Sequence, residues 1–296
     1  MVARQRIPPS AFVLGFLRLI RVQNLLIVVA TQFLARIALV GPRLDDPRSE
    51  WPRLLTDPTI WLLSFSTVCI AAAGYIINDY FDVKIDLVNK PERVIIGRYL
   101  KRRVALAAHQ TLNIVGCLIG LYLSKWVFLT DALSAGLLWF YSARFKRQPV
   151  IGNVVVALLT ALSLIVLAVY YRQNADRLLI YALFSFGITL VREIIKDMQD
   201  VRGDARFGCR TLPIVWGLRR TKYVLYGLIG LFIMTLFLMA DSLDNRSLER
   251  IFLLLLIPIT WLTYRLVYAD TRHDFGYLST LCKLIMLAGV ASMAWA

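Results

Sequence analysis

The sequence has only two histidines, His109 and His273, far apart in sequence, and only four cysteines, Cys69, Cys117, Cys209 and Cys282, with no CxxC pair. Those absences exclude a Cys/His zinc site and a thioredoxin-like redox motif. Three of the cysteines lie inside apolar blocks and read as small buried hydrophobes. Acidic residues are also scarce, 19 against 34 Lys and Arg, for a net charge of +15. The basic residues sit in short segments between apolar blocks rather than on one face of a soluble fold, which argues against nucleic-acid binding. No polar stretch is long enough for a separate soluble domain, so residues 1–296 read as a single polytopic domain.

What the chain has instead is apolar sequence. Hydrophobic residues make up 58% of it and the mean hydropathy is +0.64. They gather in blocks, and a helix needs roughly 20 such residues to cross a bilayer. Nine blocks qualify, at about 12–40, 59–78, 104–123, 126–145, 150–171, 178–195, 222–240, 248–268 and 276–296. The expected fold is an all-α membrane protein of nine transmembrane helices. The basic start, residues 1–6, resembles that of a signal peptide. The run behind it is too long and shows no convincing cleavage site, so it reads as a retained first span.

Charge placement supports this count. With the amino terminus cytoplasmic, most of the 34 Lys and Arg fall in the amino-terminal segment and in the connections after spans two, four, six and eight. The positive-inside rule then puts the carboxyl terminus on the opposite side, and the cell inner membrane is the expected location. Two connections, residues 84–103 and 192–222, carry more basic residues than topology needs.

One acidic motif closes span two and another closes span six, which brings both out on the same face. That repeat suggests two similar four-helix halves around a central cavity open near the cytoplasmic side. On a helix with Asn78 at zero, Asp82 stands at about 40°, Asp86 at about 80° and Asp79 at about 100°. Asp197, Asp200 and Asp204 share an arc of about 60°, with Glu193 on the same side. Like charges clustered at a membrane boundary repel, so a cation should compensate them. Oxygen donors without Cys or His select a hard ion, and Mg²⁺ takes one or two carboxylates plus water and phosphate. Lys84, Arg93, Arg144, Lys146, Lys196 and Arg210 lie near the motifs and suit phosphate oxygens. Two such clusters would hold Mg²⁺ and a diphosphate.

The run Asn78, Asp79, Asp82 and Asp86, followed by Asn89, Lys90, Pro91, Glu92 and Arg93, resembles the first signature of the UbiA superfamily of intramembrane prenyltransferases. The run from Lys196 and Asp197 through Asp200, Arg202, Gly203 and Asp204, then Gly208, Cys209, Arg210, Thr211, Leu212 and Pro213, resembles the second. The resemblance covers nearly the whole chain. It implies Mg²⁺ as cofactor, with Asn78, Asp82, Asp200 and Asp204 at the metal-holding positions and Asp86 and Asp197 close by. Asp82, Asp86, Asp200 and Asp204 are the expected catalytic acids. Arg21, Asn24, Tyr75 and Tyr141 are the expected pocket residues, and Arg144 and Lys146 meet the diphosphate. Relatives usually have Pro after the position of Arg93 and a Ser-Gly or similar pair further on; this chain has Val94 and Gly97-Arg98, so its loop should cap the pocket differently.

The implied reaction is transfer of a polyprenyl group from a prenyl diphosphate donor to an acceptor, among membrane lipid. Residues 192–213 look most like the geranylgeranylglyceryl phosphate geranylgeranyltransferase branch, which forms an ether at a glycerol hydroxyl. A lipid-phosphate acceptor also suits the basic connections. The alternatives are an aromatic acceptor, a 4-hydroxybenzoate or a naphthoate, and, in a different class, a cation-coupled transporter.

Overall fold

The computed structural model describes residues 9–40, 56–89, 94–242 and 246–295. Among these residues ten helices follow in order: α1 Pro9–Leu19, α2 Val22–Ala35, α3 Pro58–Asn89, α4 Arg102–Leu123, α5 Lys125–Ala143, α6 Ile151–Tyr171, α7 Ala175–Arg206, α8 Leu212–Ser242, α9 Arg246–Tyr268 and α10 Arg272–Ala291. A π turn, Arg36–Val40, extends α2, and a 3₁₀ turn, Ser292–Trp295, follows α10. Among the described residues there is no strand; Ile96 and Leu100 form an isolated bridge.

Among the described residues, eight helical stretches are long and apolar enough to cross a membrane. The remaining expected span is α5, which carries Lys125 and the buried acid Asp131. Several helices overrun the apolar blocks. The blocks 59–78 and 178–195 lie within α3 and α7, each of 32 residues. At 1.5 Å per residue such a helix is about 48 Å long. That exceeds the roughly 30 Å hydrocarbon layer, so part of each reaches beyond it. Backbone hydrogen bonding carries a helix onward after its apolar side chains stop. The first block also differs from expectation. It breaks at Arg21, whose φ of 52° is left-handed. The Ile20 amide closes α1 on the Phe16 carbonyl, and the Asn24 amide opens α2 on the Arg21 carbonyl. The block 222–240 lies inside α8, which is non-helical at Gly217.

The chain divides into two compact units, one drawing on residues up to Val29 and Leu62–Ala143, the other on Ala30–Trp61 and Arg144 onward. In the first, Ile95, Ile96 and Leu100 bury against Leu19 of α1, Ile76 of α3 and Ala105 of α4. Gly97 makes the intervening turn at φ 89°, a conformation that costs a glycine nothing. Residues 94–100 beyond the first motif thus pack into this core. In the second unit α7 packs against α6, α8 and α10, and its Tyr181, Phe184, Ile188 and Ile195 are buried.

Candidate functional site

The first unit carries the first motif on the carboxyl-terminal part of α3, and the whole run from Asn78 to Asp86 is helical as expected. Asp82 is buried, at 4% exposure, and Asp86 is half-buried. Lys84 points to the exposed side. Arg93, with Lys90, Pro91 and Glu92, lies outside the described residues.

Three expected pocket residues of this unit come together. The Arg21 guanidinium stands 4.8 Å over the Tyr75 ring. Its Nη2 donates to Asp79 Oδ1 at 3.0 Å. Asn24 Nδ2 reaches the Tyr75 hydroxyl at 3.4 Å. The break in the first helix has a purpose here, since the left-handed Arg21 turns its side chain toward α3. Asp79, the edge member of the stripe, is therefore paired with a cation of its own. Tyr141 is half-buried near the end of α5 in the same unit. His109 is buried with Nδ1 2.9 Å from the Ala73 carbonyl, a structural role.

The second unit carries the second motif near the end of α7. Asp204 is buried at 7% exposure, whereas Asp197 and Asp200 are half-buried. Glu193, one turn earlier, is also buried and accepts from Lys196 Nζ at 2.8 Å and Arg192 Nη1 at 3.2 Å. Arg192 Nε is held by the Ser279 carbonyl of α10 at 3.3 Å. Lys196, expected on a phosphate, thus also neutralises Glu193. Asp197 Oδ2 accepts from Asn153 Nδ2 at 2.8 Å. Asn153 escaped the sequence reading because a lone polar residue in an apolar block has no spacing to declare it.

The end of α7 explains the glycine of the second signature. Gly208 has φ 72°, and the Cys209 amide turns back to the Asp204 carbonyl at 3.0 Å. This is a left-handed helix stop, which favours glycine. The chain then brings the Arg210 amide to the Arg147 carbonyl at 2.8 Å. That bond joins the loop bearing Arg210 to the short turn Phe145–Arg147, which follows Arg144 and contains Lys146. Three of the expected phosphate-binding residues so lie on two linked loops. Arg144 and Arg210 are exposed and Lys146 is half-buried.

Among the described residues no three His, Cys, Asp or Glu side chains form a ready metal cluster. The donor set at both motifs is nevertheless oxygen alone, and it includes two buried aspartates. Mg²⁺ asks for only one or two protein carboxylates and takes the rest of its shell from water and phosphate. These residues fit that ion.

The sequence pattern of the UbiA prenyltransferase family matches residues 28–275. The digeranylgeranylglyceryl phosphate synthase of Sulfurisphaera tokodaii is 31% identical over 76% of this chain and 77% of its own. A solved structure described as giving insights into digeranylgeranylglyceryl phosphate synthase in membranes aligns with a TM-score of 0.73 at 23% identity, over 96% of this chain and 99% of that one. A UbiA homologue from Archaeoglobus fulgidus bound to GPP and Mg²⁺ aligns with a TM-score of 0.64 at 14% identity, over 95% and 99%.

Proposed function

From the UbiA prenyltransferase family, to which the chain belongs, we propose a narrower reaction: transfer of a geranylgeranyl group from geranylgeranyl diphosphate to the hydroxyl of geranylgeranylglyceryl phosphate. The likeness to a digeranylgeranylglyceryl phosphate synthase over three quarters of the chain carries the choice of acceptor. The donor C1–O bond breaks, the glycerol oxygen bonds C1, and inorganic diphosphate leaves. The hydroxyl proton goes to an oxygen base, a carboxylate or a diphosphate oxygen, because neither motif contains a histidine.

Asn78, Asp82 and Asp86 on α3 would hold Mg²⁺ in the first unit, and Asp197, Asp200 and Asp204 on α7 would do so in the second. When bound, the ion neutralises the diphosphate and makes it a better leaving group. Arg144, Lys146 and Arg210 serve phosphate oxygens, as Arg and Lys donors do at such sites. Lys84, Arg93 and Lys196 are placed in the same role by the sequence. Arg21, Asn24, Tyr75 and Tyr141 line the pocket, where aromatic faces stabilise positive character at C1.

The same reading makes α5 the ninth span, keeps two similar four-helix halves, and sets the amino terminus in the cytoplasm. Purified protein in lipid nanodiscs, given radiolabelled geranylgeranyl diphosphate and geranylgeranylglyceryl phosphate, should make a labelled diether phosphate. Failure to label that acceptor while labelling an aromatic acid would overturn the choice.

A further inference from the structure

We infer that Asn153 is a positioning residue that joins the second acid motif to the phosphate-binding turn. Asn153 sits in the first turn of α6 with 6% exposure. Its Nδ2 donates to Asp197 Oδ2 at 2.8 Å. A buried amide in an apolar helix is costly without a partner, and the carboxylate supplies one. The bond fixes the rotation of the Asp197 carboxylate and leaves Oδ1 to other donors.

The neighbouring residue ties the same turn to the bases. A Cβ on Gly152 would meet the Phe145 carbonyl oxygen at 2.9 Å and Lys146 Cα at 3.0 Å. The start of α6 is therefore pressed against the Phe145–Arg147 turn, backbone to backbone. That turn in turn accepts the Arg210 amide on the Arg147 carbonyl. Two adjacent residues thus hold three parts in register: Asp197 through the Asn153 side chain, Lys146 through the bare Gly152 backbone, and Arg210 through the turn. A site for a metal-bound diphosphate needs its carboxylate and its cations at a fixed separation. Partners that orient a metal ligand typically change metal affinity by about 10- to 100-fold when removed. Asn153 acts through Asp197 and touches no reacting atom.

This inference rests on the reading of the second motif as a Mg²⁺–diphosphate site. Its test is a double-mutant cycle between Asn153→Leu and Asp197→Ala, read by calorimetric binding of a non-reacting geranylgeranyl thiolodiphosphate across a Mg²⁺ titration. Asn153→Leu should raise the Mg²⁺ needed for half-maximal analogue binding by about 10-fold or more. The double variant should bind no worse than Asp197→Ala alone, because interacting residues are not additive. Asn153→Gln, which keeps the amide, should recover part of the Mg²⁺ response. Additive losses, or an unchanged Mg²⁺ titration in Asn153→Leu, would overturn the inference. Should Asn153→Leu fail to fold, Asn153→Ala and Gly152→Ala carry the test: each should weaken analogue binding with Asp197 intact, and no change in either would overturn it. Asp200→Ala separates the two readings. If it too leaves Mg²⁺-dependent binding unchanged, the site itself is wrong; if it abolishes binding while Asn153→Leu does nothing, only the positioning role fails.

Discussion

Arg21 holds Asp79: Nη2 and Oδ1 lie 3.0 Å apart, and the same guanidinium covers the Tyr75 ring. The acid at the edge of the first stripe is thereby committed to a cation from the helix break, while Asp82 stands buried beside it.

The two acids should respond differently to substitution. The Arg21–Asp79 pair is partly exposed, and such pairs contribute about 1 kcal/mol or less. Asp79→Asn should lower kcat/KM by roughly five-fold or less on that account. Asp82→Ala should lower it by about 100-fold or more, since a metal supplies several kcal/mol of transition-state stabilisation. Steady-state kinetics on both variants check the order.

Packing between α7 and α10 gives a stability prediction. A Cβ on Gly289 would run into the Phe184 ring, whereas nothing lies within 4 Å of one on Gly227 in α8. Gly289→Ala should destabilise by about 1–3 kcal/mol through overpacking. Gly227→Ala should be neutral or gain up to about 1 kcal/mol of helix propensity. Thermal unfolding in detergent reads both.

The packed segment 94–100 should resist change at its turn. Gly97 has φ 89°, which an L side chain adopts only with strain. Gly97→Val should loosen the packing of Ile95, Ile96 and Leu100 on Leu19 and Ile76. The expected readout is faster proteolysis at this loop, with donor analogue binding retained.

Orientation is testable by cysteine accessibility in a Cys-free background. Arg98→Cys should react with a membrane-impermeant thiol reagent only after cells are opened. Asn174→Cys, at the start of α7, should react in intact cells. The reverse pattern would invert the topology.

Hydropathy made the helices visible but not their ends. The apolar blocks stop near Asn78 and Ile195, yet α3 and α7 continue through the acids to Asn89 and Arg206. The stop of α7 lies in turn chemistry, at Gly208 just beyond its end. Helical phase alone showed the two acid stripes, because identical charges at regular spacing leave a pattern. The partners of those acids left none. Asn153 is one amide among aliphatic residues, and only tertiary packing brings it to Asp197. The break at Arg21 has neither Pro nor Gly to announce it, and Glu193 shows its claim on Lys196 only once both share a helix face.

The proposed chemistry is one transfer reaction and its metal. Labelled geranylgeranyl diphosphate, offered in parallel with geranylgeranylglyceryl phosphate, 4-hydroxybenzoate and a naphthoate, measures it directly with and without Mg²⁺. Product should form from the glyceryl phosphate alone and be lost on chelation and in Asp82→Ala and Asp200→Ala. Product from an aromatic acceptor alone, or transfer indifferent to Mg²⁺ and to both aspartates, would contradict it.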